Sequence, residues 1–156
     1  MVKLALILAL AAAAPAASTA VQPLGDLQLR YDPAKWEARV QDGVLNVSQV
    51  NGPERRHALS GRAVAGLTCT PEAMLDRVDV TSGFKGVAQE EVLPSGLTLA
   101  WATGDLGCRN RAPTPFAACV RHKGRAYLFD SGLVGCRFGV GAGGGLPLLR
   151  EGLEPR

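Results

Sequence analysis

The side chains able to do chemistry in this sequence are few, and their spacing frames little. His57 closes the polar run Glu54-Arg55-Arg56-His57, and His122 sits between Arg121 and Lys123. A catalytic imidazole needs a nucleophile to deprotonate and a carboxylate to orient it. Ser60 and Ser131 could offer hydroxyls, but no G-x-S-x-G elbow frames either one, so both histidines read as surface residues. Two histidines cannot build a three-histidine zinc site. Glu90 and Glu91 are adjacent and face opposite sides of a strand, which rules against a carboxylate pair. Asp76 and Asp79 lie three apart on a predicted helix and read as its solvated face. No D-x-D-x-D-G loop marks a calcium site. The expectation is a chain with no catalytic residue, no metal and no cofactor.

Gly139-Val140-Gly141-Ala142-Gly143-Gly144 matches G-x-G-x-x-G. A dinucleotide site needs a strand before that turn, a full helix after it and an acidic residue about twenty positions on. Only residues 145–156 follow, so the motif reads as a turn or hinge.

Basic residues are the stronger signal. Across residues 105–137, Arg109, Arg111, Arg121, Lys123, Arg125 and Arg137 are opposed only by Asp105 and Asp130. Arg121, Lys123 and Arg125 belong to a predicted hairpin tip, and Arg109 and Arg111 to a Gly- and Pro-rich segment. Brought to one end of the fold, they would form a basic rim for anionic groups. These five are the candidate ligand-binding residues. Nucleic acid is not the expected partner, since the aromatic residues here fall at core positions and not on a stacking platform.

The chain begins with Lys3, then an unbroken apolar run of about eleven residues from Leu4 to Ala14, then Pro15 and small residues through Ala20. That is the pattern of a signal peptide cleaved after Ala20, and the run is too short for a bilayer that needs roughly twenty residues. The remainder, 21–156, has no transmembrane segment and the length of one domain. The net charge of +3 drops by one with Lys3, which selects no partner. Asn46-Val47-Ser48 matches a glycosylation sequon, which the bacterial character of the alanine-rich leader makes coincidental. An exported chain with Cys69, Cys108, Cys119 and Cys136 and no C-x-x-C is expected to hold two disulfides. Of the three pairings, Cys108–Cys119 with Cys69–Cys136 is favoured, the first closing the Arg-Pro loop and the second acting as a long-range tie.

Alternation predicts strands over residues 27–31, 36–40 and 44–50, with Asp42-Gly43 as a hairpin turn. Further strands are predicted over 58–67, 87–93, 97–102, 116–121, 125–130 and 132–138, with a turn at Lys123-Gly124. Thr70-Pro71-Glu72 starts a helix, with a hydroxyl cap, a proline at the first turn and an acid at the positive end. Met74, Leu75 and Val78 share a face and carry that helix to about Val80. A second short helix is predicted over 146–153. Trp36 and Trp101 read as packing residues. The sum is a single disulfide-stabilised α+β domain, an antiparallel sheet with one or two short flanking helices.

Residues 25–50 add a resemblance. Leu27-Gln28-Leu29-Arg30-Tyr31-Asp32-Pro33-Ala34-Lys35-Trp36 followed by a hairpin resembles the opening of PsbP-like domains: a strand, a Tyr-x-Pro-x-x-Trp-type turn and a second strand. The resemblance implies their α+β fold and an accessory or binding role, and carries over no catalytic residue. The function expected from the whole sequence is therefore a non-enzymatic binding module, periplasmic or secreted, that engages an anionic ligand or an envelope protein. The alternative is a small hydrolase or thiol-redox enzyme using His57, His122 or a labile cysteine.

Overall fold

In a computed structural model the described residues are 18–51, 56–78, 85–105, 114–132 and 144–156. Ten strands and two helices form there: β1 (Ala20–Leu24), β2 (Leu27–Tyr31), β3 (Trp36–Gln41), β4 (Val44–Gln49), β5 (Arg56–Ala63), α1 (Pro71–Leu75), β6 (Val87–Val92), β7 (Thr98–Thr103), β8 (Phe116–His122), β9 (Arg125–Asp130), α2 (Gly145–Gly152) and β10 (Leu153–Pro155). Two antiparallel sheets result, one ordered β1-β2-β10 and the other β3-β4-β5-β9-β8-β7-β6. The turns at Asp42-Gly43 (φ 52° and 76°) and Lys123-Gly124 (φ 47° and 76°) take the left-handed conformations that match the twist of a tight hairpin.

The α+β expectation is overturned: among the described residues 54% are strand and 12% helix, a mostly β architecture. The main cause is α1. Thr70 caps it as expected, its hydroxyl accepting from the Ala73 N–H at 3.2 Å. The ladder then tightens, with the Arg77 N–H donating to Met74 O and the Val78 N–H to Leu75 O, and the helix stops after five residues. Residues 79–84 lie outside the described residues, as do all but Gly132 of the predicted strand at 132–138 and all but Gly144 of the glycine motif at 139–144. After α2 the chain returns to strand as β10, pairing with β2 as Leu153↔Leu29 through Pro155↔Leu27.

The seven-stranded sheet has two apolar faces. One packs under the three-stranded sheet and α2, burying Leu27, Leu29, Leu45, Val47, Leu59, Leu99, Val120, Phe129 and Leu149. The other is covered on its β6–β9 side by α1 over β6–β8 and by the segment leading into it, where Met74 and Leu67 pack with Ala100, Ala102, Ala117, Cys119, Ala126 and Leu128. Small side chains on those strands let the helix approach closely. Cys69 joins Cys119 at the centre of that face, closing a separation of 50 residues. The favoured pairings, Cys108–Cys119 and Cys69–Cys136, are therefore corrected. Spacing in sequence misled there, because the sheet register places Cys119 under the segment that leads into α1. Cys108 and Cys136 lie outside the described residues. Among the described residues no helix is long and apolar enough to cross a membrane.

A polar clamp ties α2 to the sheet edge. Glu91 Oε1 accepts from Trp101 Nε1 at 2.7 Å and pairs with Arg150 Nε at 2.6 Å. Glu91 Oε2 accepts from a second Arg150 nitrogen at 2.9 Å. The Arg150 guanidinium lies 5.8 Å from the Trp101 ring centroid. The hydrogen bonds from Arg150 hold the Glu91 carboxyl below its ordinary range, and Gln28 and Arg30 do the same for Glu154. A carboxyl with a lowered folded pKa binds fewer protons folded than unfolded, so its contribution is present at neutral pH and lost on acidification. The melting temperature is expected to fall as pH drops below about 4.5. Glu91→Gln should flatten that fall. Equal acid slopes in thermal melts of the two proteins would show that the clamp contributes nothing.

Candidate functional site

Only some of the predicted basic residues fall among the described residues. Arg121, Lys123 and Arg125 stand at the tip of the β8–β9 hairpin. Arg109, Arg111 and Arg137 lie outside the described residues. The described residues on either side of Arg109 and Arg111 are Asp105 and Thr114. Thr103 pairs with Phe116, so both flanks lie at the end of β8 opposite Lys123, about 20 Å away along seven strand residues.

At the hairpin tip, Arg121 and Arg125 line a groove of about 500 Å3 together with Ala63, Val64, Ala65, Gly66, Gly124 and Ala126. Among the described residues no acidic side chain lines it. Arg121 follows Cys119 by two residues on the same face of β8, and its guanidinium donates to Leu67 O at 2.8 Å. The Cys69–Cys119 bond holds the same segment two residues further on. One wall of the groove is thus fixed by a covalent tie and a hydrogen bond, which orients Arg121 before any ligand arrives. Arg125, which lines the groove, and Lys123, which does not, lie 3.8 and 3.9 Å from the Asp26 carboxylate. Their side chains are more than half exposed, so these pairs are weak and can exchange for another anion. Asp26 is itself positioned by its backbone N–H donating to the Tyr127 hydroxyl at 3.1 Å.

A second constellation lies on the half of the same sheet face beyond α1. One cross-strand row runs Asn46↔Ser60↔Asp130↔Ala117↔Ala102↔Ala88, polar over β4, β5 and β9 and apolar over the strands next to α1. His57 joins the polar half through a β-bulge. Ser48 pairs with His57 and Val47 with Leu59, which leaves Ala58 as the extra residue. Positions three apart on a regular strand point to opposite faces. The extra residue turns His57 onto the face of Ser60, and its Nε2 lies 3.2 Å from Ser60 Oγ. The Ser60 hydroxyl also lies 3.1 Å from Asn46 Oδ1, to which it donates. Asp130 accepts from the Gly132 N–H at 2.9 Å and pairs with Arg62 at 3.3 Å. Burial lowers the His57 pKa, against an opposing pull from the Asp130 charge, which favours the neutral ring with its one free lone pair.

Beside this row a groove of about 290 Å3 runs under the end of α1, lined by Arg62, Asp130, Arg77, Val78, Phe116 and Leu128 among others. Ser131 has a local role, its hydroxyl accepting from the Phe116 N–H at 3.1 Å. His122 lies on the other face of β8 from Arg121, and its buried Nε2 has no hydrogen-bond partner among the described residues. Glu90 is exposed while Glu91 turns inward to the clamp, opposite sides as the strand requires. Among the described residues no group of three or more His, Cys, Asp or Glu side chains gathers to hold a metal ion.

The reading of His57 as a solitary surface residue misses the Ser60 contact. The signal that could have found it is the pair of apolar residues, Ala58-Leu59, between two polar ones. On a strand with one buried face, that doublet is what a bulge looks like. No protein-family model, no characterised protein and no solved structure matches the chain. Nothing in these comparisons bears on the likeness of residues 25–50 to PsbP-like domains.

Proposed function

We propose that the chain is an exported binding module that takes an anionic ligand, phosphate-bearing or carboxylate-bearing, in the groove between residues 63–66 and the β8–β9 hairpin. The single observation carrying this reading is that two arginines, Arg121 oriented by Leu67 O and Arg125 held only by a weak pair with Asp26, line a groove with no acidic residue among its described lining. Guanidinium groups match the planar, two-oxygen geometry of such anions. The leader-like start and the Cys69–Cys119 disulfide support export, where thiols oxidise.

The test titrates the protein with pyrophosphate by calorimetry and, in a second arm, with phosphatidylglycerol vesicles by sedimentation. Arg125→Glu is expected to weaken binding on the order of 10- to 100-fold, since each charged hydrogen bond is worth roughly 1.5–3 kcal/mol. Affinity in either arm should fall with salt. Pyrophosphate binding alone points to a soluble ligand, and vesicle binding alone to a headgroup on a surface. Binding that Arg125→Glu leaves unchanged, or its absence in both arms, overturns the proposal.

A further inference from the structure

We propose that Ser60 and His57 form a nucleophile–base pair that hydrolyses carboxylic esters. This goes beyond the anion-binding reading and does not rest on it, since the two sites share no residue.

Three observations carry it. The bulge at Ala58 brings the hydroxyl and the imidazole together from positions that a regular strand would hold apart. Bulges that re-aim a side chain recur beside active sites. Second, the 3.2 Å contact is within the reach of direct proton transfer. Third, a groove for a substrate is adjacent. Asp130 stands directly opposite Ser60 in register and lines it, as does Arg62 two residues along β5 on the same face. Leu128 and Val78 supply an apolar wall there and Arg77 a positive charge, which suits a short acyl ester carrying a negative group.

The chemistry balances without a cofactor. Rotation about Cβ–Oγ moves the Ser60 proton from Asn46 toward Nε2 of the Nδ1-protonated His57. Oγ attacks the carbonyl carbon as Nε2 takes the proton. The bond from that carbon to the alkoxy oxygen breaks, and the alkoxide leaves as an alcohol with the proton from Nε2. Water then attacks the acyl-serine, giving its proton to Nε2. Oγ departs with that proton, and a carboxylic acid is released.

The test exposes the full, exported protein to an alkyl fluorophosphonate and to p-nitrophenyl acetate. Intact mass and peptide mapping are expected to place one phosphonyl group on Ser60. Ser60→Ala should abolish both that adduct and ester hydrolysis. His57→Gln should slow labelling at least 100-fold, the scale of a lost general base. Both variants are checked by thermal melting. Ser60→Ala removes only a part-exposed hydroxyl and keeps the proposal testable even where His57→Gln fails to fold. An unlabelled Ser60, or hydrolysis unchanged in Ser60→Ala, overturns it. Pyrophosphate binding measured on Ser60→Ala reports the other site separately, so failure of one reading is distinguishable from failure of the other.

Discussion

Removing the Cys69–Cys119 bond, as Cys69→Ser with Cys119→Ala, is expected to cost about 4 kcal/mol of stability, because the bond closes a long loop in the unfolded chain. Alanine is chosen at 119 because that side chain is fully buried, where a serine hydroxyl would lack a partner. Urea unfolding of the oxidised protein and the double variant measures the difference, and the melting temperature should drop on the order of 10 °C. A loss below about 1 kcal/mol would mean that the tie constrains little. Non-reducing peptide mapping of the native protein should recover Cys69 linked to Cys119. Of the three pairings, the one containing that bond leaves Cys108 to join Cys136. Recovery of a Cys108–Cys119 peptide would instead refute the arrangement of α1 on the sheet. The bond also bears on function, since it holds the Leu67 segment to which Arg121 donates. Pyrophosphate binding should weaken in the double variant even at a temperature where it remains folded.

What could be read before the fold was known follows from the range of the forces involved. The turns at Asp42-Gly43 and Lys123-Gly124 and the Thr70 cap depend on a few neighbouring residues, and all form where expected. Strands β2, β3, β4, β7, β8 and β9 announce themselves by alternation or hairpin pairing. β10 does not, because Leu153-Glu154-Pro155 becomes a strand only through β2, more than 120 residues back along the chain. β1 is hidden for a related reason: it abuts the leader-like segment and carries Pro23, which an edge strand tolerates. The fold class was misjudged because helix propensity says how a helix starts more clearly than how far it runs. The candidate sites divide the same way. Arg121, Lys123 and Arg125 were legible as charges on a hairpin. The Ser60–His57 contact was not, since it depends on a register shift against β4. The cysteine pairing required the location of Cys119 in the sheet, which is set by the antiparallel pairings of β8 with β7 and β9 and not by distance along the chain.

The same long-range register makes the fold most vulnerable at Phe129. Its fully buried ring sits across from Gly61 in the β5–β9 pair, on the face packed beneath the small sheet. A Cβ added at Gly61 would lie 2.5 Å from Phe129 Cδ1 and 2.6 Å from Cε1, with Leu24 Cδ2 at 3.4 Å. The glycine is there to admit the ring. Phe129→Ala is expected to cost roughly 3–5 kcal/mol, the removed apolar surface plus the cavity left behind. Gly61→Ala alone should cost roughly 1–3 kcal/mol, because the ring must move in a packed interior. The two effects cannot add. Once the ring is gone, a methyl at position 61 fills part of the void and stiffens a strand that glycine weakens, so Gly61→Ala in the Phe129→Ala background should be neutral or stabilising. A double-mutant cycle by denaturant unfolding should therefore show a coupling of about 1–3 kcal/mol. Additivity within about 0.5 kcal/mol would mean the ring does not lie over Gly61. The register that pairs Gly61 with Phe129 also pairs Ser60 with Asp130, so that outcome would take Asp130, and the groove it lines, away from Ser60.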